Sequence, residues 1–299
     1  MRTAIKMNRR GLLVTGFFIA ALAGSSATHI VPAFADEPSR IVTIGGSLTE
    51  IVYALGEEDR LIARDSTSSF PSAAGELPDV GYIRQLSPEG VLSVNPDMII
   101  ALEGFGPPEA ASVIKQAGIP VVVIPDGYDN DSIIRKIRAT ASALGREEAG
   151  EELASKTAAE LSAAQAAAEG IADKRKVMFL LSAAGGRLMA GGSHTHADGI
   201  IKLAGGVNAM ADVNGYKPVS NEAVIEAAPD LILRMRNGGD QSSDADVLAH
   251  PAIMATPAGK EGKVVGMDGL FILGFGPRTA EAARELSELL YSDTASPGN

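Results

Sequence analysis

The chain repeats itself once. Residues 85–100, QLSPEGVLSVNPDMII, align without a gap on residues 218–233, PVSNEAVIEAAPDLIL, at an offset of 133. Ser87 falls on Ser220, Glu89 on Glu222, and Pro96-Asp97 on Pro229-Asp230. A serine just ahead of a helix-forming run reads as an N-cap, and the proline ends the helix before an apolar run of strand length. Each copy therefore predicts a capped helix feeding a buried strand, and two copies predict two related lobes. Each glutamate falls in a first helical turn, where its charge suits the helix dipole. Together they would make two separated acidic knobs.

Around the copies, short β-rich runs alternate with helical ones. RIVTIGG (40–46), RLIAR (60–64), DMIIAL (97–102) and PVVVIP (120–125) read as strands. SLTEIVYALG (47–56) reads as a helix with a serine cap and a glycine stop, and further helices are predicted over 107–117 and 131–144. Such alternation argues for parallel strands with helices on both faces. Residues 146–176 then predict one long helix, free of proline, acidic early and basic late. A second alternating half follows, with strands at 176–182, 230–235 and 263–267 and a closing helix over 279–291. The expected fold is α/β, two doubly wound lobes joined by one long backbone helix. Its boundaries are an N-terminal lobe over 36–145, a connecting helix over 146–175 and a C-terminal lobe over 176–299.

Residues 1–35 read as an export signal. Arg9 and Arg10 precede an apolar stretch, and Ala33-Phe34-Ala35 offers a small-residue cleavage site. Removing that segment takes the formal net charge from −11 to −15, because it carries four cations and no acid. So acidic a protein repels nucleic acid and anionic lipid, and neither is an expected partner. There is no cysteine, so the core must hold the fold without disulfides and no lipid anchor on an N-terminal cysteine is available. A soluble exported protein of this kind suits a Gram-negative periplasm. No nucleophile elbow, zinc-binding helix motif, phosphate loop or cysteine nucleophile is present, so an exported hydrolase lacks its signature and no catalysis is expected.

RIVTIGGSLTEIVYALG, LSPEGVLSVNPDMII, the long helix and PVSNEAVIEAAPDLIL resemble the periplasmic substrate-binding proteins of ABC importers for haem, vitamin B12 and ferric siderophores. RDSTSSFP (64–71), VGYIRQLSPEG (80–90) and LFILGFGPRTAEAARELS (270–287) are similar to the haem-binding branch. The resemblance implies a ligand cleft between the lobes and haem as the transported ligand, its iron held by Tyr82. It further implies an ABC permease at the inner membrane, met by Glu89 and Glu222. A monomer is expected. A corrinoid or ferric-siderophore carrier on the same scaffold is the alternative; the chain has no Trp and five Tyr, which leaves little for corrinoid stacking.

The chemistry of the residues agrees with that implication. A phenolate oxygen is a hard anionic ligand for ferric iron, and a nearby cation favours the charged phenolate. If 81–85 is extended, Arg84 points to the same side as Tyr82. Arg84 would then either assist the phenolate or pair with a haem propionate through its forked donors. GGSHTHADG (191–199) sets His194 and His196 on a glycine-rich loop before a helix, either as solvated residues or with one of them approaching the far face of the iron as the second ligand that some members of the family supply from this lobe, His196 being preferred as the pocket residue. His250, beside Pro251, reads as a helix end. EGFGPPEA (103–110) and LGFGPRTA (273–280) are glycine loops entering helices. Phe105 and Phe275 would either cover porphyrin or fill the core, with Arg278 facing a propionate in the former case.

Overall fold

The computed structural model describes residues 37–236 and 242–291; the expected signal segment lies outside them. Beginning the chain are β1 (Ile41–Ile44), α1 (Gly46–Ala54), β2 (Leu61–Arg64), α2 (Pro88–Leu92), β3 (Met98–Leu102), α3 (Pro108–Gln116), β4 (Val121–Ile124) and α4 (Asn130–Leu144). A single long helix follows, α5 (Glu147–Glu169). Beyond it come β5 (Lys176–Ser182), β6 (Met189–Gly191), α6 (His196–Leu203), β7 (Val207–Asn208), β8 (Tyr216–Pro218), α7 (Asn221–Ala227) and β9 (Leu231–Met235). The chain closes with α8 (Asp244–Leu248), α9 (Pro251–Met254), α10 (Pro257–Glu261), β10 (Val264–Met267), α11 (Gly269–Leu273) and α12 (Thr279–Tyr291).

Two sheets result, one per lobe. The first runs β2-β1-β3-β4 and is parallel throughout. The second runs β10-β9-β5-β6-β8, with β7 paired to β5. Its β10, β9 and β5 are parallel, whereas β6 folds back antiparallel on β5 and β8 pairs antiparallel with β6. Parallel strands buried on both faces should split their side chains between two cores. In β5, Val177 and Phe179 enter one buried cluster while Met178 and Leu180 enter another, and β9 divides Leu231 and Leu233 from Ile232 in the same way.

The internal repeat is structural. α2 and α7 both begin, and β3 and β9 both begin and end, at positions 133 residues apart. Ser87 accepts from the Gly90 N–H and Ser220 from the Ala223 N–H. The turn that follows holds a left-handed residue at the matching place, Asn95 (φ 50°) and Ala228 (φ 49°). Asp97 then accepts from the Arg40 N–H ahead of β1, as Asp230 does from the Lys176 N–H that opens β5.

Two sequence expectations need correction. The long helix stops at Gly170, and a turn rather than helix leads into β5. α1 starts at Gly46 on an N-cap Gly45 with φ 124°, so Ser47 lies inside the first turn and does not cap. His250 stands at a helix end as expected: it follows the C-cap of α8, and its Nδ1 accepts from the Ala252 N–H as the N-cap of α9.

α5, about 35 Å long by its residue count, is not a free strut. One buried cluster joins Ile51 of α1, Ile133 and Ile137 of α4, Leu161 of α5, Ile200 of α6 and Leu286 of α12. Helices of both lobes thus share one apolar seam with α5 inside it. A buried aliphatic side chain stabilises by about 1.5–3 kcal/mol, so the seam resists opening. Among the described residues no helix is long and apolar enough to cross a membrane.

Candidate functional site

A cleft of about 1090 Å³ lies between the sheets, a little above the range of roughly 300–1,000 Å³ usual for small-molecule pockets. Its walls come from the carboxyl ends of the parallel strands. Gly45 and Gly46 follow β1, Ser66 and Thr67 follow β2, Leu102 ends β3 and Asp126 follows β4. Across from them, Leu181 and Ser182 belong to β5, Met235 ends β9, and Gly269 and Leu270 follow β10. Open α/β sheets bind ligands at this end because the loops there diverge and leave a crevice.

Tyr82 reaches the cleft from the connection after β2. Asp79 anchors that connection by accepting from Arg64 Nη1 and from the Gly81 N–H, both at 2.8 Å. Gly81 has φ 106°, a conformation a side chain would strain. The next residues are not extended. The Gln85 N–H donates to the Tyr82 carbonyl at 2.7 Å, closing a turn over 82–85. Ile83 is driven into the N-lobe core, while Tyr82, 47 % exposed, and Arg84 both line the cleft. Phenol and guanidinium therefore share a wall through a turn, not through strand alternation.

The loop EGFGPPEA braces this turn. The Gly106 N–H donates to Ile83 O, the Leu86 N–H donates to Gly106 O, and Arg84 Nη1 donates to Gly104 O. Phe105 is 5 % exposed within the N-lobe core, under the Lys115 ammonium, and so does not face the cleft. Phe275 is 2 % exposed in the core shared by the lobes. Arg278 is likewise directed away from the cleft wall. Its guanidinium stacks 3.4 Å over Phe70 and donates to Glu50 at 2.9 Å, joining the residue just ahead of α12 to α1. The core reading of both phenylalanines is the one the packing supports.

The two loop histidines separate. His194 is exposed, at φ 58°, edge-on to Tyr128 and off the cleft wall. His196 lines the cleft as the first residue of α6, whose N-cap Thr195 accepts from the Asp198 N–H. However, its Nε2 is buried and lies 3.3 Å from Asp126 Oδ2, across the cleft floor. That nitrogen addresses the other lobe rather than the cleft.

Asp126 is also 2.7 Å from Nζ of Lys136, a wholly buried lysine on α4. The Nζ donates further to Ser47 Oγ (3.3 Å), Gly274 O (3.3 Å) and Phe275 O (3.1 Å). Both contacts to Asp126 are close in distance but poorly directed as hydrogen bonds. Burial alone would raise the Asp126 carboxyl. The His196 contact and the Lys136 charge outweigh it and hold the group well below the usual carboxylate range. For Lys136, burial lowers the ammonium by more than Asp126 restores. The ionised pair is the one that fits, because every oxygen around Nζ can accept from an ammonium. Tyr216, a second tyrosine on the cleft wall, has its phenol pushed up by burial, which disfavours a phenolate.

Asp126, Lys136, Glu50 and Tyr216 escaped the sequence reading. One signal existed for Lys136. The buried face of α4 runs Ile133, Lys136, Ile137, Thr140, Ala141, Leu144, and a lysine on such a stripe needs a buried partner. Glu89 and Glu222 stand exposed in the first turns of α2 and α7. The Glu222 carboxyl is lowered by hydrogen bonds from its own backbone and from Ser220.

Two lobes with a crevice at their strand ends, fused along a helix and with no enzyme signature, define a solute-binding protein. The chain belongs to the periplasmic binding protein family, which matches residues 41–269. Among solved structures, the periplasmic heme-binding protein RhuT from Roseiflexus sp. RS-1, in apo form, is 37 % identical with a TM-score of 0.80, over 85 % of this chain and 98 % of that one. An uncharacterized ABC transporter substrate-binding lipoprotein, YvrC of Bacillus subtilis, is 27 % identical over 261 residues, 86 % of this chain and 82 % of its own. The vitamin B12-binding protein of Vibrio parahaemolyticus is 27 % identical over 205 residues, 68 % and 73 % of the two chains. The protein is accordingly a substrate-binding component of an ABC transporter and not an enzyme.

Proposed function

We propose that the cleft carries haem, with the Tyr82 phenolate on the iron. The observation that carries this is Tyr82 itself, a half-exposed phenol on a large cleft wall, beside Arg84, on a turn braced by backbone hydrogen bonds. Ferric iron favours such a hard anionic oxygen. Tyr216 is the weaker candidate because burial opposes its ionisation. Leu102, Leu181, Met235 and Leu270 offer apolar surface for a porphyrin, and Arg84, on the same cleft, is the partner proposed for a propionate. The similarity to a heme-binding structure, at higher identity than to the vitamin B12-binding relative, supports the same choice.

In this reading residues 1–35 export the chain to a Gram-negative periplasm, and the monomer delivers haem to its permease. Glu89 and Glu222 dock there, one on each lobe. Residues 36–145 and 176–299 act as the lobes, and the seam around α5 limits them to a small hinge motion.

A haemin titration followed by absorbance tests the ligand. The expected result is a saturable Soret shift with a high-spin phenolate spectrum, and a Tyr82→Ala affinity lower by about 100-fold or more, some 2.7 kcal/mol. A corrinoid is the second reading, favoured by the vitamin B12-binding relative. Saturable cobalamin binding with no haemin binding would replace haem by it.

A further inference from the structure

A histidine on the wall of a cleft that receives ferric iron would ordinarily be expected to bind it. The structure argues otherwise for His196. Its Nε2 is buried and faces Asp126 Oδ2 at 3.3 Å. The ring is wedged edge-on against Phe275 at 4.9 Å and Tyr128 at 6.3 Å. Its backbone is fixed by the Thr195 cap of α6. Asp126 in turn is held by buried Lys136, which reaches Ser47 on its own side and the carbonyls of Gly274 and Phe275 on the other. Imidazole, carboxylate and ammonium form one chain of contacts between the lobes, running from the cleft wall into the core.

We propose that Asp126 is a positioning residue that ties His196 across the lobes and withholds it from the cargo iron, so that the iron is ligated from the N-terminal lobe alone. The inference rests on the haem reading. Its functional sense is release. Cargo ligated by one lobe is freed by loss of a single bond, whereas a second ligand from α6 would clamp the iron between both walls. Freeing the imidazole for iron would take from Asp126 its contact on the C-terminal lobe. The tie therefore competes directly with iron ligation.

The test compares haemin complexes of the mature protein by visible absorbance and electron paramagnetic resonance. Wild type and His196→Gln should give the same high-spin phenolate spectrum. Asp126→Ala should convert the bulk of the iron to a low-spin, histidine-ligated form, and adding His196→Gln should restore the high-spin form. Asp126→Asn, which keeps an acceptor for the imidazole, should stay close to wild type. Should Asp126→Ala fail to fold, Asp126→Leu with Lys136→Met removes both charges and asks the same question. A wild-type spectrum altered by His196→Gln would overturn the proposal, as would an unchanged spectrum in a folded, haemin-binding Asp126 variant. Absence of saturable haemin binding in the wild type is a different result: it removes the haem reading, and this inference with it.

Discussion

The two lobes are alike away from the cleft and unlike along it. In the N-terminal lobe β1 passes through Gly45 directly into α1, and the connection after β2 delivers Tyr82. In the C-terminal lobe β5 instead turns back as β6, the chain enters α6, and that helix delivers His196. Yet α2 with β3 and α7 with β9 superpose in sequence to the residue, down to the serine cap, the left-handed turn and the aspartate that follows it. The shared unit presents an exposed glutamate on each lobe. The unshared segments make most of the two cleft walls, to which the shared strands add Leu102 and Met235 at matching positions. A repeated scaffold can thus offer the same surface feature twice while presenting different side chains to the cleft, a tyrosine from one lobe and a histidine from the other.

The lobes meet through charge as well as through the apolar seam, and that contact is where the comparison is easiest to break. Lys136→Met should cost about 3–5 kcal/mol in urea unfolding, because it strands the Asp126 carboxylate, and adding Asp126→Leu should recover most of it. The depressed Asp126 carboxyl also fixes a sign. Its contribution is fully present above the ordinary carboxylate value of about 4 and is lost as the pH falls below it, so removing Asp126 should flatten the acid limb of the stability profile.

A steric change at the same seam should do less. A Cβ on Gly199 of α6 would lie 2.4 Å from the Tyr128 carbonyl and 2.7 Å from Phe275 Cζ. Gly199→Ala should destabilise by about 1–3 kcal/mol at unchanged denaturant slope. The smallest test sharpens the likeness of the lobes. Ala228 occupies the left-handed region where the N-terminal lobe uses Asn95, a residue type that tolerates it. Ala228→Gly should therefore raise stability by up to about 1 kcal/mol in thermal unfolding, while Asn95→Gly should change it little.

Much of the architecture was legible beforehand because it rests on local rules. Strands such as 176–182, the helix Thr279–Tyr291 and the α2/α7 repeat follow from apolar runs, serine caps and proline stops, which act within a few residues. Tyr82 and Arg84 were singled out by the resemblance of their short stretch to haem-binding proteins; both line the cleft, through a turn that the stretch did not reveal. The β6 hairpin was missed, since its strand is only three residues long and no periodicity shows in so short a run. His196 was preferred over His194 as the pocket residue and does line the cleft, but its partner was not foreseen, because only the docking of α6 on the loop after β4 sets it beside Asp126.

The chain by itself determined two lobes, a long helix between them, matched glutamates and a tyrosine beside an arginine. Each of these is written in contiguous residues whose backbone preferences and burial pattern are nearly self-sufficient. Tertiary structure alone decided the rest: that Phe105 and Phe275 are core, that Arg278 serves Glu50, and that Asp126, Lys136 and His196 converge. Lys136 lies 138 residues from Gly274, and Arg278 lies 228 from Glu50. A buried charge chooses its partner by distance in space and by the cost of being left alone, and neither quantity is recorded along the chain.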